Sequence, residues 1–142
     1  MSKRNRLLAG FIIAIVAVLL IGLGLMYRDF NQTMSFSRTL DYEIDIQQYP
    51  SGQRIVLGDD MTDDIIDLLE KDISFAGLSL EYKTMPPDAA YYNVTISSRE
   101  GMKKIYVADD KSHNHVQGHH FMIKTRVGMS TITYLNQLFS VK

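Results

Sequence analysis

The run from Leu7 to Met26, LLAGFIIAIVAVLLIGLGLM, decides most of what this chain is able to become. It is 20 residues long and holds no charged residue, no Asn, no Gln and no Pro. As a helix it would span roughly 30 Å, the thickness of a bilayer's hydrocarbon core. A helix pairs every interior N–H within its own segment, which a lone backbone segment in lipid requires. The sequence therefore predicts a transmembrane helix over residues 7–26, with the lipid bilayer as its first partner.

Flanking charge sets the expected orientation. Lys3, Arg4 and Arg6 precede the run, whereas Arg28 follows it with Asp29 alongside. The more basic flank marks the cytoplasmic end. Residues 1–6 are thus expected in the cytoplasm and residues 27–142 outside, giving a single-pass protein of the cell membrane. The competing reading is a cleaved signal peptide, whose apolar region is usually about 7–15 residues and ends in small residues. Here the run is longer and closes with Leu25, Met26, Tyr27 and Arg28, which favours an uncleaved anchor. The chain has no Cys, so neither a lipid-modified cysteine nor a disulfide is available. Gly10, Gly22 and Gly24 do not form the G-x-x-x-G spacing that pairs membrane helices.

Beyond the anchor, about 110 residues are enough for one small domain with a single core. Four of the 15 basic residues lie ahead of Asp29, and all 16 acidic residues lie at or after it. The outer part is therefore acidic, which argues against nucleic acid as a partner, because phosphates would be repelled.

Residues 27–38 include Asn31, Gln32, Thr33, Ser35 and Ser37 and read as a polar juxtamembrane spacer. Residues 39–142 read as an α+β domain. Leu40, Tyr42, Ile44 and Ile46 alternate with Asp41, Glu43, Asp45 and Gln47, the period of a half-buried strand. Tyr49-Pro50-Ser51-Gly52 is a turn, and Arg54 to Leu57 return as a second strand. Asp60, or alternatively Thr62, is the expected cap of a helix carrying Ile65, Ile66, Leu69, Ile73 and Ala76 on one face and stopped by Gly77. Strands are expected at Leu78–Tyr82, Tyr92–Ile96, Lys104–Ala108 and His119–Thr125, the last with Phe121 and Ile123 inward. A final helix, capped by Ser130 or Thr131, carries Ile132, Leu135, Leu138 and Phe139. The expected order is β-β-α-β-β-β-β-α, a small antiparallel sheet with helices on a face.

All four histidines, His113, His115, His119 and His120, fall within eight residues. Imidazole suits zinc or another transition metal, and Asp109 and Asp110 stand close in sequence. A loop metal site is one reading, and a pH-sensing loop is another. A solvated hairpin loop is the plainer one, because neither Cys nor a helical H-x-x-x-H accompanies the histidines. The pairs Asp59-Asp60 and Asp63-Asp64 fit the positive end of a helix better than catalysis. No phosphate loop, dinucleotide fingerprint or nucleophile elbow occurs, so no catalytic residue and no cofactor are assigned. The eight tyrosines include Tyr82, Tyr91, Tyr92 and Tyr106, placed for cross-strand packing or for a binding face.

Ile55-Val56-Leu57, Asp60, Ile65 and Ile105-Tyr106-Val107 resemble the pattern of small extracytoplasmic domains in uncharacterised Gram-positive membrane proteins and lipoproteins. The resemblance covers Arg54 to Phe139 and implies a fold type and a compartment, with no activity attached. The sequence as a whole points to a non-enzymatic domain that binds a protein partner, a membrane complex or an envelope component. The metal- or pH-responsive loop is the alternative, and an enzyme comes last.

Overall fold

The computed structural model describes residues 2–78, 89–108, 114–119 and 122–140. Helix α1 (Lys3–Thr33) comes first, then strands β1 (Glu43–Tyr49) and β2 (Arg54–Val56), and helix α2 (Asp59–Asp72). Strands β3 (Ile73–Leu78), β4 (Tyr91–Ser98), β5 (Gly101–Ala108), β6 (His115–Gln117) and β7 (Met122–Val127) follow, and helix α3 (Met129–Ser140) closes the domain. The α+β class stands, with an antiparallel sheet of seven strands in the order β2-β1-β4-β5-β6-β7-β3.

The alternation that predicted strands also explains the layering. Ile44, Ile46, Val94, Ile96, Ile105, Val107, Val116 and Ile123 are buried and stand in cross-strand register, so they share one face. That face meets Ile65, Ile66 and Leu69 of α2 and Leu135 of α3 in a single core. The other face carries Asp45, Asn93, Lys104 and Gln117 among its tyrosines.

Several boundaries differ from the sequence expectation. The helix expected to run to Gly77 ends at Asp72, and Ile73 begins β3 instead. The β-branched and aromatic residues Ile73 and Phe75 pair with Val127 and Thr125, and that ladder outweighs continued helix. Gly77 stops nothing. It lies at an irregularity in β3 with φ +123°, a conformation that favours glycine. Neither Asp60 nor Thr62 caps α2: its N-cap is Gly58, and the Thr62 hydroxyl donates back to the Gly58 carbonyl at 3.1 Å. Asp59 and Asp60 instead occupy the first turn, where the helix dipole favours carboxylates. A short seventh strand, β6, falls inside the stretch expected to be loop. The last strand starts later, at Met122, with Ile123 and Thr125 buried. Leu80, Tyr82 and Phe121 lie outside the described residues.

The cap of α3 comes from a different element. Ser130 lies within the helix, and Thr131 is buried. Asp72, at the end of α2, accepts from the Thr131 N–H at 2.9 Å and from its hydroxyl at 2.6 Å. Its own carbonyl accepts from the Gly128 N–H at 3.1 Å. A Cβ at Gly128 would fall on the Asp72 carboxyl group, so the chain is bare where the cap needs room. Asp72→Ala is expected to cost about 1–2 kcal/mol, the upper part of the usual range for losing a helix cap. Urea unfolding of the variant beside the parent checks it, and an unchanged midpoint would show that water replaces the carboxylate.

Contacts along the helices fix how the sheet stands relative to α1. Tyr27 and Phe30 meet Phe75 of the edge strand β3, at ring-centre distances of 5.4 and 5.9 Å. Further along, Ser35 is reached by Lys103 of β5, and Phe36 packs on Tyr42, just ahead of β1. The end of α1 thus crosses the strands, starting from β3. Helix α2 leaves the β2 edge and delivers the chain to β3, and α3 returns from β7 until Tyr134 and Leu138 stand beside β2. With strands about 4.8 Å apart, β2 lies roughly 29 Å across the sheet from β3, on the side away from the apolar part of α1.

Candidate functional site

The junction between α1 and the domain is tied together by several polar groups. The expected spacer at residues 27–38 is instead helix as far as Thr33, followed by a turn. Met26, Asp29, Phe30 and Thr33 are buried, at the i, i+3, i+4, i+7 spacing of one helix face. Phe30, Met34 and Phe36 belong to the same core as the sheet. The polar residues of this stretch, Asn31, Gln32 and Ser35, are exposed. They made it read as linker, while the four-residue spacing of Met26, Phe30 and Met34 was the signal for a buried face.

Asp29 is only 3% exposed. Its carboxylate accepts from the His119 N–H at 2.9 Å and rests against Gly118, where a Cβ would collide with it. A buried carboxylate needs such donors, because leaving water without them is costly. Lys103 adds a second tie: its ammonium donates to the Ser35 carbonyl at 2.7 Å and lies 4.3 Å from the centre of the Phe36 ring. Partial burial holds the Lys103 ammonium below its ordinary value, opposed by Glu100 and Glu70. Glu70 accepts from the Phe36 N–H at 3.2 Å and, with Asp67, pairs with Arg38. Beside these ties a cleft of about 580 Å³ is lined by Gln32, Ser35, Tyr42, Glu100, Lys103 and His119.

The histidines separate into different environments. His115 is buried on β6 with its ring stacked on Tyr106, 4.5 Å between centres and 18° from parallel. His119 is exposed just after β6 and its backbone, not its ring, holds Asp29. His113 and His120, with Asp109 and Asp110, lie outside the described residues. Among the described residues no three of His, Asp or Glu gather where a metal would be held. Lys3, Arg4 and Arg6 occupy the exposed first turns of α1, after the Ser2 cap.

Two further features lie on the sheet, an aromatic row ending at buried His115 and an edge groove. On the sheet face away from the helices, Tyr49 stacks on Tyr91 at 4.6 Å, and Tyr91, Tyr106 and His115 continue a row of rings across four strands. At the β2 edge, a groove of about 440 Å³ runs between β2 and the α2–α3 pair.

The chain matches no family model, no curated protein and no solved structure.

Proposed function

We propose that this chain is a single-pass membrane protein with a cytoplasmic N-terminus and a non-enzymatic binding domain outside, held in a fixed attitude by its own anchor. The observation that carries this reading is the unbroken course of α1. One helix passes from a stretch long and apolar enough to cross a membrane into the core of the domain. Within an 18-residue window of that stretch no residue is buried against the described remainder of the chain, and burial begins only at Met26. An exposed apolar surface of this extent calls for lipid around it. At about 1.5 Å per residue α1 is roughly 46 Å long, so it outlasts the hydrocarbon core and has turns left to embed in the domain.

The two carboxylates that reach into the domain support binding over catalysis, because each already has a structural partner: buried Asp29 holds the turn after β6, and partly buried Asp72 caps α3. A metal-responsive loop has less support, since the His115 ring lies flat on Tyr106 inside the domain.

Orientation is tested by protease accessibility in the source cells. A protease added to spheroplasts should digest the domain and spare the N-terminus. Replacing Lys3, Arg4 and Arg6 with Gln should yield molecules of both orientations. Protection of the domain until the membrane is lysed would overturn the orientation, and release by alkaline carbonate would overturn the anchor.

A further inference from the structure

We propose that the groove along β2 docks an extended, basic segment of a partner protein carrying apolar anchors, added beside β2 as an eighth strand. The proposal rests on the reading of the domain as a binding module and names the chemistry of its partner.

The first observation is an available sheet edge. Among the described residues β2 pairs only with β1, so its outer backbone groups face away from the sheet. Edge strands are templates for another strand, and chains that avoid such pairing blunt the edge with charge, proline or shortness; β2 is short, at three residues, but carries neither proline nor an unpaired charge. Here the middle of the edge is Ile55-Val56, with Val56 52% exposed. Arg54, the charged residue of β2, is turned back into an ion pair with Asp45 of β1.

The second observation is the groove beside that edge. Ile55, Leu57, Met61, Tyr134 and Leu138 line it, with mostly apolar walls open to solvent. An extended segment adding to β2 would point alternate side chains into this groove, which gives anchors at every second residue.

The third observation selects the sign of the partner's charge. Asp59, Asp60, Asp63 and Asp64 are all exposed on the first turns of α2, where Gly58 and Met61 also line the groove. The Tyr134 phenol in the groove wall is raised by burial and further by Asp64, so the acidic field extends into the groove. A segment whose apolar residues enter the groove and whose basic residues lie at its end beside the first turn of α2 satisfies edge, groove and field together, and an acidic one is repelled. The position fits a partner in the aqueous space, because the β2 edge is the side of the sheet away from the apolar stretch of α1.

The test uses the full chain in nanodiscs of zwitterionic phosphatidylcholine, with empty nanodiscs as blank. The probe is a fluorescent nonapeptide alternating Lys and Val, compared with its Glu-for-Lys counterpart by anisotropy. Saturable binding of the Lys peptide alone is expected, weakened at least about tenfold by Asp63→Lys with Asp64→Lys, as rim charges steer association. Val56→Lys should weaken it comparably, whereas Met102→Lys, at an exposed apolar residue of β5, should not. Thermal melting of each variant separates lost binding from lost folding. Binding of both peptides alike, no binding, or indifference to all three acidic-rim and edge substitutions overturns the proposal. So does a loss of one chain's mass, 16.2 kDa, from the particle in Val56→Lys, which would assign the edge to a second copy of this chain. The protease assay on the same proteins is independent of these outcomes, so failure of the docking proposal and failure of the membrane reading are told apart.

Discussion

A soluble fragment beginning at Met34 will be markedly less stable than one beginning at Met26, although the eight extra residues precede every strand of the domain. The longer fragment restores Met26, Asp29, Phe30 and Thr33, all buried, and Phe30 is part of the central core. Truncating a buried Phe typically costs about 3–5 kcal/mol, and loss of the whole side chain with its backbone leaves at least as large a cavity. The Asp29 contact goes as well, freeing the His119 N–H and the turn at Gly118. Since small domains are stable by only about 5–15 kcal/mol, the Met34 fragment should unfold at much lower urea or fail to give a cooperative transition. Equal midpoints for the two fragments would show that the end of α1 rests on the domain without supporting it. Phe30→Ala in the longer fragment isolates the ring's share.

Leu69→Ala is expected to cost about 2–5 kcal/mol, the range for deleting most of a large aliphatic side chain in a core. Leu69 is fully buried between the sheet and the other helices. Its neighbour Leu68 is only partly buried against the same core, so Leu68→Ala serves as the internal comparison and should cost clearly less. The pair measures which face of α2 is inward. A larger loss at Leu68 would rotate the helix by about 100°, one residue's turn, relative to the arrangement described.

How much of this was legible in the sequence depends on the length scale of the interaction. The strand at Ile44 and Ile46 and the β4–β5 hairpin announce themselves by alternation, because one sheet face is buried and the other is not. The turn at Pro50 to Gly52 follows from local backbone preference, and Gly52 does adopt a positive φ. The boundary between α2 and β3 was not legible, because Ile73 suits both the helical stripe and a strand. What decides it is pairing with Val127, 54 residues away. The cap of α3 was missed for a related reason: Asp72 is far from Thr131 in sequence, and the local candidates Ser130 and Thr131 looked sufficient. The junction reads as a spacer because Asn31, Gln32, Ser35 and Ser37 are polar, while its buried face is spread along Met26, Phe30 and Met34 and includes the polar Asp29 and Thr33. The β2 groove leaves no local trace, since its walls come from Ile55, Met61 and Leu138 on three separate elements.

The continuity of α1 through Thr33 has a consequence for evolution and engineering of this helix as the proposed anchor. On a flexible tether, lengthening the anchor by one residue changes nothing about where a domain points. Here the helix acts as a shaft keyed to its load by Asp29, Phe30 and Phe36. Inserting a single alanine in the apolar stretch advances the load by about 1.5 Å along the helix axis and turns it by about 100°. The compass bearing of the β2 edge around that axis is then a property written into the number of residues between Lys3 and Asp29. An insertion of one residue should re-aim it, and an insertion of seven, close to two whole turns, should return it to within roughly 20° of the original heading.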